Sequence, residues 1–115
     1  MSRIEIRFTP ENLVRHLKHN PDKVTTTRGR FQGNLGDYTH IGLDTYVLTK
    51  YFTLDMRDLP RYKHLHEDEG FPSKKAFNDE IHRIYGKNPN TTLVVHEFTR
   101  KIPTDVLYAD EEDEE

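Results

Sequence analysis

The sequence has no cysteine, and this absence excludes disulfide bonds, a thiolate nucleophile and zinc sites with sulfur ligands. It also has no apolar run near the roughly 18 residues that a membrane-spanning helix needs. The first residues, MSRIEIRF, alternate between apolar and polar side chains and do not form the continuous apolar segment of a secretory signal. We therefore expect a cytoplasmic protein with no membrane partner and no disulfide partner.

Hydrophobic residues are few, at 33% of 115 residues, and the mean hydropathy is −0.90. A chain of this length forms one domain with a modest core. The formal net charge is −3, but residues 110–115 are all acidic, and the rest of the chain carries 17 basic and 14 acidic side chains, a net charge of +3. A basic surface attracts phosphates and other anions, although many mixed-charge surfaces bind none.

The hydrophobic periodicity predicts an α+β domain. Alternating or β-branched runs indicate strands, and apolar residues three and four apart indicate helices. The predicted elements, in chain order, are a half-buried strand at 3–8, a helix from Thr9 to Asn20, a polar strand at 24–28, a short strand at 38–42, a long strand at 45–56, a helix from Ser73 to Tyr85 and a strand at 91–101.

Three of these elements are each expected to bury one apolar side. The expected core residues are Leu13, Val14 and Leu17 in the first helix, Tyr46, Leu48, Phe52 and Leu54 in the long strand, and Ala76, Phe77, Ile81 and Ile84 in the second helix. Residues 57–72 are charged and irregular, and they are long enough for a functional loop.

The stretch PDKVTTTRGRF predicts a strand with almost no apolar side chain to bury. On a straight strand Thr26 and Arg28 share one face and Lys23 lies on the other. Lys23 and Thr26 meet only if the chain turns or bulges before Val24, and the preceding Pro-Asp pair is typical of a turn. We expect the face with Thr26 and Arg28 to line a pocket rather than a core.

Two motifs resemble the signatures of the ASCH domain family, which is related to the PUA RNA-binding domains. The first motif is DKVTTTRGR with a later LGD, and its matching residues are Lys23, Thr26, Arg28, Gly36 and Asp37. The second is EDEGFPSKKAF, and its matching residues are Glu69, Gly70, Phe71 and Phe77. The closing LVVHEF is similar to the last strand of the family, so that the resemblance covers most of residues 4–100.

The resemblance implies a small PUA-like β-barrel of about five to six strands, flanked by two main helices, in one domain at 1–104. It also implies that the domain recognises a nucleoside or RNA. The acidic run at the end of the chain predicts a disordered tail at 105–115. The sequence makes no prediction of the oligomeric state.

The most similar branch is that of the small amidohydrolases that remove the acyl group from N4-acetylcytidine, without metal or cofactor. Their catalytic set corresponds to Lys23, Thr26 and Glu69. Pro21 stands where those enzymes have a glycine, and Gly29 where they have an acid. The residues expected to bind the substrate or RNA are Arg28, Arg30, Gly36 and Asp37.

Several alternatives remain open at this point. Other ASCH proteins bind RNA without catalysis or act as ribonucleases. Lys23 serves as a general base if it is neutral, or stabilises an oxyanion if it is charged. Glu67 or Asp68 takes the place of Glu69 if the motif is shifted by one or two residues.

Histidines offer a further alternative. His64 and His66 are possible metal ligands, but no third histidine has a recognisable spacing, so we expect no metal site. His96 in the last strand is expected to be a packed or surface histidine. The tyrosines at 38, 46, 51 and 62 are able to stack on a base or to fill the core.

Overall fold

A curled antiparallel sheet of four strands lies at the centre of the structure, a computed structural model that describes residues 2–101. The strands are β1 (Lys23–Arg28), β2 (Tyr38–Ile41), β3 (Asp44–Asp55) and β4 (Thr92–Lys101). Their order across the sheet is β1-β4-β3-β2, so that β1 and β2 form its edges. The predicted α+β class is confirmed, and the PUA-like barrel stays a prediction.

The N-terminal segment predicted as a strand at 3–8 does not form one, and the described residues contain four strands rather than the expected five or six. The segment makes a single bridge to β2, where the N–H of Ile4 donates to the carbonyl of Tyr38 at 2.6 Å. Its alternation still has structural meaning, because Ile4 is buried and Ile6 and Phe8 pack on the core. The segment therefore covers the face of the sheet instead of extending its edge.

A β-bulge in β3 divides the apolar residues of this strand between the two faces of the sheet. Leu48 lies opposite Phe98 of β4 and Lys50 lies opposite Glu97, so Thr49 is an extra residue. One extra residue reverses the face to which all following side chains point. The prediction that the four apolar residues share one side is therefore wrong, and two of them join each of two separate clusters.

The two faces of the sheet are covered by different elements. The N-terminal segment and α1 (Pro10–His19) cover one face, while a 3₁₀ helix (Met56–Arg61), α2 (Leu65–Asp68) and α3 (Lys74–Tyr85) cover the other. The region predicted to be an irregular loop thus contains two short helices. The buried clusters are Ile4, Val24, Ile41, Tyr46, Leu48 and Phe98 on the first face, and Leu54, Met56, Leu59, Leu65, Phe77, Ile81, Leu93 and Val95 on the second.

Both long helices begin after the predicted capping residues, Thr9 and Ser73, whose hydroxyls accept backbone hydrogen bonds. However, α1 turns an unexpected side to the protein. Val14 is 52% exposed and Leu17 39%, whereas His16 is only 3% exposed. The predicted burial of Val14 and Leu17 is therefore wrong, whereas Leu13 packs on the core as expected, and the fully buried residue of the helix is the polar His16.

In α3, Phe77 and Ile81 are buried as expected, whereas Ile84 is exposed beside a cavity between α3 and β1.

The described part of the chain ends at residue 101. The predicted domain end at 104 and the predicted tail at 105–115 lie outside the described residues.

Candidate functional site

A cavity of about 280 Å³ lies beside the edge strand β1, between the N-terminal segment, α1, the residues after α2, and α3. Its wall includes the rings of Phe8 and Tyr85. Three buried polar atoms of wall residues have no hydrogen-bond partner among the described residues, namely Nδ1 of His16, Oγ1 of Thr27 and Oε2 of Glu69. Buried polar groups are normally hydrogen-bonded, so three unpartnered polar atoms in one cavity wall are unusual for a protein interior.

Glu69 follows α2 directly and is only 4% exposed. Burial raises the pKa of its carboxyl from 4.5 to about 7, because the charged form loses its hydration. The neighbouring Thr27 and the positive charge of Arg28 favour the ionised form and limit this rise in pKa. At neutral pH both the acid and the carboxylate are populated, which is the property that a general acid and base needs.

His96 of β4 forms hydrogen bonds with the backbone of β1 and of the loop that follows β1. It is completely buried, its Nε2 accepts a hydrogen bond from the N–H of Gln32 at 3.0 Å, and its Nδ1 donates to the carbonyl of Thr26 at 3.3 Å. Burial lowers the pKa of His96, so the ring stays neutral and keeps one donor and one acceptor. His96 is thus a packed histidine that fixes the backbone around Thr26.

His16 reaches the cavity from α1. Its ring packs edge-on against Phe8, with 5.6 Å between the ring centroids. Burial lowers the pKa of His16 from 6.5 to about 4, so the imidazole is neutral at physiological pH. A neutral histidine therefore shares the cavity with the buried carboxyl of Glu69.

Gly70 allows α1 to pack against the backbone next to Glu69. Its φ is +75°, and a Cβ at this position would lie 2.3 Å from the carbonyl oxygen of Asn12 and 2.8 Å from Cδ2 of His16. Glycine alone fits both the backbone conformation and this contact. The Glu-Gly pair thus brings the carboxyl and the imidazole to the same cavity.

Arg28 forms the side of the cavity at the end of β1. Its Nη1 donates to the carbonyl of Thr27 at 3.3 Å and its Nη2 donates to the carbonyl of Arg7 at 3.0 Å. A guanidinium has five N–H donors, so these two bonds hold the group in place and leave further donors for a ligand.

Of the predicted catalytic residues, Thr26 and Glu69 line the cavity, as does Arg28, but Lys23 does not. The Nζ of Lys23 pairs with a carboxylate oxygen of Glu97 at 2.7 Å, and this hydrogen bond raises the pKa of Lys23. β1 pairs with β4 without a bulge, so Lys23 and Thr26 point to opposite faces. Lys23 is therefore a cation in a different groove.

The remaining predicted binding residues do not line the cavity. Arg30 is exposed, and Gly36 has a φ of +93° in the loop before β2. The carboxylate of Asp37 accepts hydrogen bonds from the N–H groups of Asn34 at 2.8 Å and Ser2 at 2.9 Å, and these bonds lower its pKa. This Gly-Asp pair therefore anchors the N-terminal segment to the loop.

Sequence analysis missed His16 and Thr27 as residues of the site. The signal for His16 was its spacing of four residues from Asn12, which puts two polar side chains on one side of α1. For Thr27 there was no such signal, because the alternation of β1 places it on the face opposite Thr26 and away from the predicted pocket.

A second and more open groove of about 520 Å³ runs across β1, β4 and β3 to the 3₁₀ helix and α2. The rings of Phe52 and Tyr62 stack there with 6.0 Å between their centroids, and Nζ of Lys50 lies 5.9 Å from the Phe52 ring. We call this surface the basic groove. Its lysine, arginine, aspartate and glutamate residues are Lys23, Lys50, Arg61, Lys63, Asp68 and Glu97.

Within residues 2–101, no group of three or more histidine, aspartate or glutamate side chains is arranged to hold a metal ion. Over the same range, the helices are too short or too polar to cross a bilayer.

Comparison of the chain with protein-family models, with curated proteins and with solved structures finds no match. The relation to the ASCH family therefore stays a prediction that rests on the two sequence motifs.

Proposed function

We propose that the cavity beside β1 binds the base of a cytosine nucleoside and hydrolyses an acyl amide on its N4, with Glu69 as the general acid and base. The observation that carries this proposal is a buried carboxyl with an unpartnered oxygen in a small cavity that has aromatic walls. The resemblance of the motifs around Thr26 and Glu69 to amidohydrolases of N4-acetylcytidine points to the same substrate class.

The walls of the cavity suit a nucleobase. Phe8 and Tyr85 offer aromatic surfaces on which a base can stack. Acidic side chains accept hydrogen bonds from the N4 amino group of cytosine, and Oε2 of Glu69 is unpartnered. The cavity volume lies just below the range of about 300–1,000 Å³ that is typical of small-molecule sites, so it admits one base and little more.

In the proposed reaction the carboxylate of Glu69 takes a proton from water while the water oxygen attacks the acyl carbon. The carbonyl π electrons move to the acyl oxygen, which becomes an oxyanion. The protonated Glu69 then gives its proton to N4 as the carbon–nitrogen bond breaks and the carbonyl re-forms. The products are the free cytosine nucleoside and a carboxylic acid.

Donors beside Glu69 stabilise the oxyanion in this scheme. The hydroxyl of Thr27 lies beside the Glu69 carboxyl, whose ionised form it favours, and Arg28 adds a positive charge with further N–H groups. Preorganised donors of this kind act most strongly in a site from which water is excluded. Thr27 and Arg28 therefore take one of the two roles considered for Lys23, the stabilisation of an oxyanion.

The purified protein is expected to convert N4-acetylcytidine to cytidine and acetate in the presence of a metal chelator, as followed by chromatography of the nucleosides. Glu67→Gln is the matched control, because Glu67 lies two residues from Glu69 and is exposed, and it should retain the rate. If the wild-type protein at high concentration releases no cytidine, the proposed reaction is wrong.

The variant Lys23→Ala tests whether the reaction depends on Lys23, as the resemblance implies, or proceeds without it in the cavity. We expect this variant to lower kcat/KM for N4-acetylcytidine by less than about threefold, because a group beyond hydrogen-bond reach of the substrate transfers no proton. Steady-state kinetics of the variant provide the measurement. A loss of more than about a hundredfold, in a variant that is folded by circular dichroism, would instead place the lysine in the reaction.

A second candidate function is RNA binding without catalysis, and the basic groove favours it. The groove combines four lysine and arginine side chains with a stacked pair of rings, Phe52 and Tyr62. Single-stranded nucleic acids bind to such surfaces through backbone phosphates and stacked bases.

Lys63→Ala is expected to weaken the binding of a fluorescent single-stranded RNA and to reduce the slope of log K against log salt by about 0.7, because one phosphate contact is lost. Lys87→Ala is the control, since this exposed lysine lies outside the groove. Fluorescence anisotropy at several salt concentrations measures both quantities. Equal effects of the two variants would exclude the groove as the RNA site.

A further inference from the structure

The wall of the cavity beside β1 divides into a buried floor and an exposed mouth. Thr26, Thr27 and Glu69 belong to the floor, with at most 5% of each residue exposed. Two arginines of the same wall, Arg7 and Arg83, are exposed and therefore lie at the mouth. A ligand whose base reaches the floor places the rest of its structure beside these two arginines.

Contacts between three segments of the chain bring the arginines to one mouth. Nη2 of Arg28, the last residue of β1, donates to the carbonyl of Arg7 at 3.0 Å. The next residue, Gly29, lies against α3, since a Cβ at this position would be 3.0 Å from Cε1 of Tyr85. Arg83 precedes Tyr85 by two residues in α3 and lines the same cavity. The N-terminal segment, the end of β1 and the end of α3 thus meet at the mouth.

The wall does not neutralise the positive charge of its arginines. Among the described residues, it contains Arg7, Arg28 and Arg83 but only two carboxyl groups, those of Glu69 and Glu80. Nε and Nη2 of Arg83 donate to Glu80, whereas Arg7 and Arg28 form no salt bridge within residues 2–101. A guanidinium has five N–H donors, so donors remain at the mouth for an anion.

We infer that the cavity takes a nucleotide rather than a bare nucleoside, with a phosphate on the ribose bound by Arg7 and Arg83 at the mouth. This inference rests on the proposed function, which places the base on the floor beside Glu69. The cavity volume of about 280 Å³ admits one base and little more, so the ribose and its phosphate lie at the mouth. A phosphate monoester carries a charge of about −1.5 to −2 at pH 7, and arginine binds phosphates through charge-assisted hydrogen bonds.

The phosphate has a positioning role in this arrangement. It is remote from the acyl carbon, so its binding energy fixes the substrate in the cavity without entering the chemical step. Arg28, which is held by the carbonyls of Thr27 and Arg7, keeps its place beside Glu69. A free nucleotide and an RNA strand present the same group to the mouth, and they are the two sources of the phosphate.

Cytidine and cytidine 5′-monophosphate differ only in the phosphate. At pH 8 and low salt, calorimetric titration of the wild-type protein should show that the monophosphate binds at least about tenfold more tightly. In the double variant Arg7→Gln/Arg83→Gln this preference should fall below about threefold. The matched control is Arg3→Gln/Arg30→Gln, which removes two exposed arginines outside the cavity and should keep the preference.

A trinucleotide with a central cytidine distinguishes the two sources of the phosphate. Binding that is tighter than that of cytidine 5′-monophosphate, and that weakens in Arg7→Gln/Arg83→Gln, assigns the mouth to an RNA strand. Weaker binding of the trinucleotide assigns it to a free nucleotide. Both results support a phosphate at the two arginines.

The other outcomes separate this inference from the proposed function. If the wild-type protein binds neither cytidine nor its monophosphate at millimolar concentration, both fail together. If it binds the two equally, or if Arg7→Gln/Arg83→Gln keeps the preference, the role of the two arginines is overturned while nucleoside binding stands. A preference that is lost in Lys63→Ala also overturns it, because the phosphate then lies in the basic groove. If the monophosphate is preferred as expected but N4-acetylcytidine is not hydrolysed, the phosphate site stands and the proposed reaction is wrong.

Discussion

Glu69→Gln should lower kcat/KM for N4-acetylcytidine by about 10²–10⁴-fold and at the same time stabilise the folded protein at pH 8 by about 3 kcal/mol. Activity is lost because an amide does not accept the proton of the attacking water. Stability is gained because the wild-type protein buries a carboxylate at pH 8, whereas glutamine carries no charge.

The raised pKa of Glu69 decides how the stability of the wild-type protein changes with pH. The folded protein binds the Glu69 proton more tightly than the unfolded chain does, since burial raises the pKa from 4.5 to about 7. The wild-type protein therefore loses stability as the pH rises from 4.5 toward 7, and the full cost is present above 7. Below 4.5 the group is protonated in both states, and the two proteins should be about equally stable.

Urea denaturation between pH 4 and pH 8 measures this difference. His16 acts in the opposite direction, because its pKa is lowered from 6.5 to about 4, so its contribution to stability is present above 6.5 and is lost toward pH 4. This contribution of His16 is the same in the wild-type and Glu69→Gln proteins, so it cancels in the difference between their stabilities. A Glu69→Gln difference that stays constant with pH would show that the carboxyl is not desolvated.

Gly70→Ala is expected to destabilise the protein by about 4 kcal/mol. A left-handed backbone costs an alanine about 1–2 kcal/mol, and forcing an extra methyl group into packed surroundings costs about 1–3 kcal/mol more. Both costs apply, because φ is +75° and the Cβ would lie 2.3 Å from the carbonyl oxygen of Asn12. The midpoint of urea denaturation should fall accordingly.

Gly42→Ala separates the two costs. Gly42 has a φ of +62°, and a Cβ there would meet no atom within 4 Å, so only the backbone cost of about 1–2 kcal/mol remains. If the two variants are equally stable, the close approach of α1 to Gly70 is not present in solution. The arrangement of His16 beside Glu69 would then have no support.

Features that depend on local chemistry could be predicted from the sequence. Thr9 and Ser73 are good capping residues, and both long helices begin after them. The polar character of β1 indicated a strand beside a pocket, and Thr26 and Arg28 do line a cavity. The acidic motif predicted Glu69 as a residue of the site, and in the structure Glu69 is buried in the wall of the same cavity.

Features that depend on nonlocal pairing could not be predicted. The bulge at Thr49 has no signature in the alternation of β3, and it appears only through the register with β4. The position of Lys23 depends on Glu97, which is 74 residues away in the sequence and next to it in space. A prediction based on motif spacing placed Lys23 with Thr26, whereas the regular strand separates them.

The burial of His16 shows the limit of hydrophobic periodicity. Val14 and Leu17 were predicted to be buried because they outweigh a histidine on a hydropathy scale, yet both are exposed, and Leu13 is the apolar residue of α1 that packs on the core. The side of α1 that carries His16 packs closely against Gly70, a residue on another segment. Local hydropathy therefore predicts that a polar side of a helix faces solvent, even where that side lines a cavity.

The most direct test of this account is a titration of the Glu69 carboxyl by carbon-13 NMR, with its resonance assigned by its disappearance in Glu69→Gln. A midpoint near pH 7 is predicted, because the group is desolvated in the cavity. A midpoint near 4.5 would mean that the carboxyl is hydrated like an ordinary surface glutamate, and it would contradict the account.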